Sequence, residues 1–264
     1  MFRLSKHCFL LYNTLQKGSV KMENRYASRI EKVQMSSIRV VMEKVEKLRS
    51  QGKSVVSLCA GEPDFNTPEG IKKATIEALN DNQTHYSSNR GYLGLRKKVA
   101  HLLKEQTTID YDSDTEIIMT CGCSEAINNV CQAFINKDDE VIIFTPAFVS
   151  YQNTVLLCQG IPVEIPLKLS LGFQIDIEEV KNKITKKTKM IILNNPNNPT
   201  GAVYQKETLE QLCKLARENN ILILADEIYN QLDYENQYVS IASFENMKDY
   251  TIIVNGFSKA YAMT

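Results

Sequence analysis

Met190-Ile191-Ile192-Leu193 runs directly into Asn194-Asn195-Pro196-Asn197-Asn198-Pro199-Thr200-Gly201. The first four residues are apolar with no polar alternation, the pattern of a strand covered on both faces. The two Asn-Pro steps then force extended or turn geometry on the residues before each proline, so the strand stops and its loop presents amide side chains. Working outward, Ile117–Thr120, Val141–Phe144, Ile221–Ala225 and Thr251–Val254 read as further short strands. Between them, residues 70–80, 122–134 and 206–218 carry apolar residues at helical spacing, the first opened by Thr67 as N-cap and Pro68 in the first turn. Apolar strands alternating with helices predict an α/β fold, three layers around a mainly parallel sheet. Ligands in such sheets collect at the carboxyl ends of the strands.

The whole sequence narrows the partners. Its 31 basic and 31 acidic residues balance, so no overall field favours nucleic acid or an anionic membrane, and a small molecule is the expected partner. No apolar run is long enough to cross a bilayer. Seven cysteines without a regular framework point to free thiols in a reducing compartment, here the cytoplasm. Three histidines, with Cys121 and Cys123 one residue apart, assemble no zinc-type ligand set. Residues 1–22 hold Arg3, Lys6, Lys17 and Lys21 and no acid; they read as an N-terminal extension, with a targeting segment as the other reading. Residues 37–49 read as a separate helix with Ile38, Val41, Val45 and Leu48 on one face.

Four polar constellations each follow a strand. In the first, Asn198 can donate to an anionic oxygen, although a turn alone would also account for the Asn/Pro cluster. In Ile-Leu-Ile-Leu-Ala-Asp226-Glu-Ile-Tyr229, Asp226 ends an apolar strand and is expected half-buried. A carboxylate there either caps backbone amides or meets a cation such as a protonated ring nitrogen. In Thr120-Cys121-Gly122-Cys123-Ser124-Glu125-Ala126 a strand passes through glycine into a helix, whose first amides and the Ser124 hydroxyl suit a phosphate. A depressed thiol pKa is conceivable for Cys123 at such a place, but the residue reads as simply small. In Ile-Ile-Val-Asn-Gly-Phe-Ser258-Lys259, the lysine stands at the mouth of the sheet, where Schiff-base chemistry would need it.

Together with CAGEPDFNTP (59–68), THYSSNRGYLGLR (84–96) and TPAFVSY (145–151), these motifs and their order resemble the class I and II aminotransferases, the fold-type I family of pyridoxal-phosphate enzymes. The resemblance runs from about Ser37 to Thr264 and is strongest to the aspartate and aromatic branch. It implies pyridoxal 5'-phosphate as cofactor, with Lys259 as its covalent anchor and as proton carrier for the substrate α-carbon. Asp226 would pair with the protonated pyridine nitrogen, and Asn198 and Tyr229 would hydrogen-bond the phenolate oxygen. Phe148 would stack on the ring, while the amides of Cys123 and Ser124, with Ser258, would cradle the phosphate. Tyr86 would reach the phosphate of a neighbouring subunit, which implies a homodimer, and Gly61 would set a backbone amide against the substrate carboxylate, with Asn198 beside it.

The implied activity is transfer of an α-amino group from an amino acid to a 2-oxo acid. A carbon–sulfur β-lyase would use the same residues, and a non-catalytic cofactor-binding protein is the alternative from another class. The sequence stops inside the family's lysine motif, so two arginines that the family places after the lysine have no counterpart, and a fragment of a longer transaminase is expected. The expected organisation is an extension at 1–22, a segment at 23–60 packing on a small domain or a partner, and an incomplete cofactor-binding large domain at 61–264. Nothing in the sequence chooses the amino donor.

Overall fold

The computed structural model describes residues 27–33 and 37–264, so the extension expected at 1–22 lies outside the described residues. The chain divides into two units, residues 1–33 and 34–264. In the first, Ser28–Lys32 forms a short 3-10 helix with no buried residue.

The second unit carries seven α-helices and five strands among its described residues. The helices are α1 (Ser37–Ser50), α2 (Glu69–Asn80), α3 (Leu93–Thr107), α4 (Cys123–Phe134), α5 (Ser150–Leu157), α6 (Ile177–Lys183) and α7 (Lys206–Glu218). The strands are β1 (Glu140–Thr145), β2 (Ile161–Pro166), β3 (Thr188–Asn194), β4 (Leu222–Asp226) and β5 (Thr251–Val254), in the order β2-β1-β3-β4-β5 with every pair parallel. All carboxyl ends therefore lie along one edge, where Asn194 is opposite Asp226 and Asp226 opposite Val254.

Alternation along each strand builds the layers. Ile142, Phe144, Ile191, Leu193, Ile223 and Ala225 pack against Val180 of α6 and against Leu209, Leu212, Cys213 and Ala216 of α7. Val141, Ile143, Met190, Ile192 and Leu224 face the other way, onto Ile127 and Cys131 of α4 and Tyr151 and Val155 of α5. The apolar set of α7 recurs at helical spacing, and each fully buried leucine or isoleucine contributes about 2 kcal/mol. Asp176 starts α6 as its N-cap, accepting the Glu179 amide at 3.3 Å.

Two local expectations are corrected and one strand is added. Ile117–Thr120 is not a strand: Ile117 is buried, Ile118 is exposed, and the Met119 amide bonds the Arg90 carbonyl rather than a sheet neighbour. Residues 161–166 do form a strand, hidden in the sequence by Pro162 and Pro166; both are tolerated because β2 is an edge with β1 as its sheet neighbour. At α2 it is Pro68 that occupies the cap position, while the Thr67 hydroxyl donates to the Ala262 carbonyl. On α1, Ile38 and Val41 remain exposed and Val45 and Leu48 are half-buried.

Candidate active site

The loop after β3 shows why it needs four asparagines. Asn194 Nδ2 donates to the Asp226 carbonyl at 2.9 Å and Asn194 Oδ1 accepts the Asn198 amide at 2.7 Å. Asn195 Oδ1 takes the Tyr204 amide at 3.0 Å, and Asn197 Oδ1 takes the Thr200 hydroxyl at 2.8 Å. Three buried asparagines thus satisfy the loop internally, and both Asn-Pro bonds are cis. Asn198 is left facing a cavity of about 1280 Å³, where its Nδ2 donates to the Tyr229 hydroxyl at 3.1 Å. The cluster is more than a turn.

Asp226 closes β4 and lines the same cavity. Expected half-buried, it is only 4 % exposed, because strands flank it on both sides and Tyr151 covers it. Tyr151 donates its hydroxyl to Oδ2 at 2.6 Å, and the Ile228 amide donates to Oδ1 at 3.3 Å. Among the described residues no Lys or Arg pairs with this carboxylate. Burial raises its pKa, against the two hydrogen bonds that lower it. Burial likewise raises the Tyr229 pKa, helped by the Asp226 charge and opposed by the Asn198 hydrogen bond.

Lys259 sits in the turn after β5 and also lines the cavity. Its Nζ donates to the Gly61 carbonyl at 2.5 Å and lies 5.7 Å from the centre of the Tyr229 ring. Ser258 is beside it in the lining, as are Cys123 and Ser124 at the start of α4. Gly122, with φ of 82°, turns the chain into that helix, whose first amides have no intrahelical acceptor. Phe148 forms part of the wall and meets Tyr151 edge to face, with ring centres 5.7 Å apart. Burial, reinforced by Asp226, pushes the Cys123 thiol up to about 12, so the alternative of a depressed, reactive thiol is overturned.

Nine of the ten singled-out residues therefore line one cavity: Gly61, Cys123, Ser124, Phe148, Asn198, Asp226, Tyr229, Ser258 and Lys259. Tyr86 does not; it is fully exposed and outside the lining. At Gly61 an added Cβ would meet nothing within 4 Å. A flat aromatic cation with an anionic tail fits this set. Asp226 is a buried carboxylate suited to a cation, Phe148 offers a ring face, the α4 amides suit a phosphate, and Lys259 offers the amine.

The family model for aminotransferase class I and II matches residues 53–264. The chain belongs to this family. Among its curated relatives, the aspartate aminotransferase of Pyrococcus abyssi is 43 % identical over 80 % of the chain and 55 % of its own length. Aromatic-amino-acid aminotransferase 2 of Thermococcus litoralis is 41 % identical over 90 % of the chain and 60 % of its own length. A solved Thermus thermophilus aspartate aminotransferase double mutant superposes with a TM-score of 0.86 at 39 % identity, covering 90 % of the chain and 62 % of that structure. The chain spans 54 to 62 % of the length of such curated aminotransferases.

Two features of the cavity wall escaped the sequence. Tyr151 was visible only as the last letter of TPAFVSY, with no signal that a helical tyrosine would reach a carboxylate 75 positions away. Asn194 looked like part of a turn, yet it ties the β3 loop to the end of β4.

Proposed function

We propose that this chain is the cofactor-binding part of a pyridoxal-phosphate-dependent aminotransferase that moves an α-amino group from an amino acid to a 2-oxo acid. The observation that carries the reading is Asp226, a carboxylate buried at a cavity wall that also bears the Lys259 amine, with hydrogen-bond donors but no cationic partner among the described residues. When bound, pyridoxal phosphate supplies an electron sink that makes a substrate's α-proton acidic.

The chain's own residues do the rest. Asp226 offers its negative charge to the ring nitrogen, and Asn198 and Tyr229 hold the phenolate oxygen. Phe148 covers a ring face. The Cys123 and Ser124 amides with the Ser258 hydroxyl receive the phosphate, where the α4 dipole favours negative charge. Lys259 Nζ is the amine that would hold the cofactor, and it would carry the proton to and from the substrate α-carbon. The Gly61 amide and Asn198 orient the substrate carboxylate. Tyr86, exposed in one subunit, serves the phosphate of its partner in a homodimer, and residues 23–60 pack on a small domain or that partner. The cytoplasm is the compartment that suits its free thiols. Among the described residues no helix is long and apolar enough to cross a membrane.

Incubating the chain with pyridoxal phosphate, 2-oxoglutarate and either aspartate or phenylalanine tests the reading. Formation of glutamate together with the donor's 2-oxo acid, without free ammonia, supports transamination. Release of a thiol, pyruvate and ammonia from an S-alkyl cysteine, with no glutamate from the two donors, would assign elimination chemistry instead.

A further inference from the structure

Tyr151 belongs to none of the groups assigned above to cofactor or substrate, yet it makes the shortest contact to Asp226. It is the second residue of α5, is 2 % exposed, and reaches past the sheet edge to Oδ2 at 2.6 Å. Its ring is held edge-on by Phe148 at 5.7 Å and belongs to the same core cluster as Val141, Leu224 and Val254. The hydroxyl therefore cannot swing away without disturbing both the ring wall and the sheet. The Ile228 amide occupies Oδ1, so Tyr151 alone determines how Oδ2 is solvated on the protein side.

We propose that Tyr151 is a positioning residue: by donating to Oδ2 it fixes the rotation of the Asp226 carboxylate and keeps it ionised for a cation bound in the cavity. Resting on the cofactor reading, the inference adds a specific device to it. Burial pushes the Asp226 carboxyl toward its neutral form, and the Tyr151 hydrogen bond is the larger of the two contacts that oppose it. A neutral acid would offer a ring nitrogen no charge. The donor is dependable: burial, and then the Asp226 charge, push the Tyr151 hydroxyl well above the ordinary tyrosine value, so it retains its proton. The other titratable groups facing this carboxylate are Tyr229, Cys123 and Glu227, each of whose charged forms would oppose its ionisation. Lys259 lines the same cavity and is engaged with the Gly61 carbonyl.

Tyr151→Phe keeps the ring and removes only the donor. Two measurements on the full chain separate this role from simple packing. The first needs no cofactor: carbon-13 carboxyl NMR of aspartate-labelled protein, with the Asp226 signal assigned by Asp226→Asn. The Asp226 titration moves to higher pH in Tyr151→Phe if the proposal holds; an unchanged titration overturns it. The second compares binding of pyridoxal phosphate with that of its analogue carrying carbon in place of the ring nitrogen. Tyr151→Phe weakens pyridoxal phosphate about tenfold, the effect of one charge-assisted hydrogen bond, and leaves the analogue unchanged. Equal loss for both ligands would make Tyr151 a packing residue and sink the proposal. Failure of the unaltered chain to bind pyridoxal phosphate at all would count against the cofactor reading, with the Asp226 titration still deciding the role of Tyr151.

Discussion

Asn198 Nδ2 and the Tyr229 hydroxyl meet at 3.1 Å, joining the loop after β3 to the loop after β4 across the cavity mouth. The pair presents two polar groups to one point from two independent strand ends, and Asn194 braces both through its bonds to the Asn198 amide and the Asp226 carbonyl. If both grip one cofactor oxygen, Asn198→Ala and Tyr229→Phe each weaken pyridoxal phosphate binding about tenfold, and the double variant loses less than the sum. Spectrophotometric titration of the four proteins measures this. Strictly additive losses would mean that the two side chains act on different atoms.

Glu227 is buried beside Asp226 and accepts the Ser240 hydroxyl at 2.6 Å. Burial above all pushes its pKa from 4.5 up to about 7, with the Asp226 charge adding to the rise and the Ser240 hydrogen bond opposing it. A raised acid pKa means that the folded state binds more protons than the unfolded one between those values. Stability is then full below pH 4.5 and falls as pH rises to about 7, by about 3 kcal/mol in total. Urea unfolding of the wild type and Glu227→Gln at pH 5 and pH 8 should show a larger loss in the wild type than in the variant. Parallel pH dependence in the two proteins would refute the assignment.

Gly256 lies where an added Cβ would come within 3.1 Å of Cys123 Sγ and 3.3 Å of Ile228 Cδ1. Gly256→Ala therefore presses the turn before Lys259 against the start of α4, at a cost of about 1 to 2 kcal/mol. Adding Cys123→Ala removes the nearer atom, and denaturant midpoints should recover part of the loss. No recovery would place the strain elsewhere.

Cysteine reactivity gives an independent check on the cavity wall. Burial holds the thiols of Cys123, Cys131 and Cys213 up at about 12, whereas Cys121 is exposed. Among the described cysteines, iodoacetamide at pH 8 should label Cys121 first, read by peptide mapping. Cys123 labelled as fast as Cys121 would show that the wall is open.

The sheet was readable wherever strands are buried on both faces, as at Met190–Leu193 and Ile221–Ala225, because an uninterrupted apolar run of strand length, bounded by polar turn residues, suits a covered strand and little else. It was unreadable at β2, where prolines at 162 and 166 argue against a strand and only its edge position permits one. At Ile117–Thr120 the composition suits a strand, but strand formation depends on a neighbour, which local sequence does not encode. The site followed the same division. Lys259, Asp226 and Asn198 come from motifs at strand ends, so topology brings them to one edge. The Tyr151 contact with Asp226 arises from how α5 packs on the sheet, and side-chain reach across layers has no periodic signature. Tyr86, fully exposed in a single chain, acquires a role only in the proposed dimer.

The most direct test of the account is covalent attachment at Lys259. The purified chain is mixed with pyridoxal phosphate, its visible absorption band recorded, the mixture reduced with borohydride, and the modified peptide located by mass spectrometry, with Lys259→Ala alongside. The unaltered chain is expected to show a band and a pyridoxyl group on the Lys259 peptide, and the variant to lose both. A band of equal strength in Lys259→Ala, or labelling scattered over surface lysines with none at 259, would contradict it.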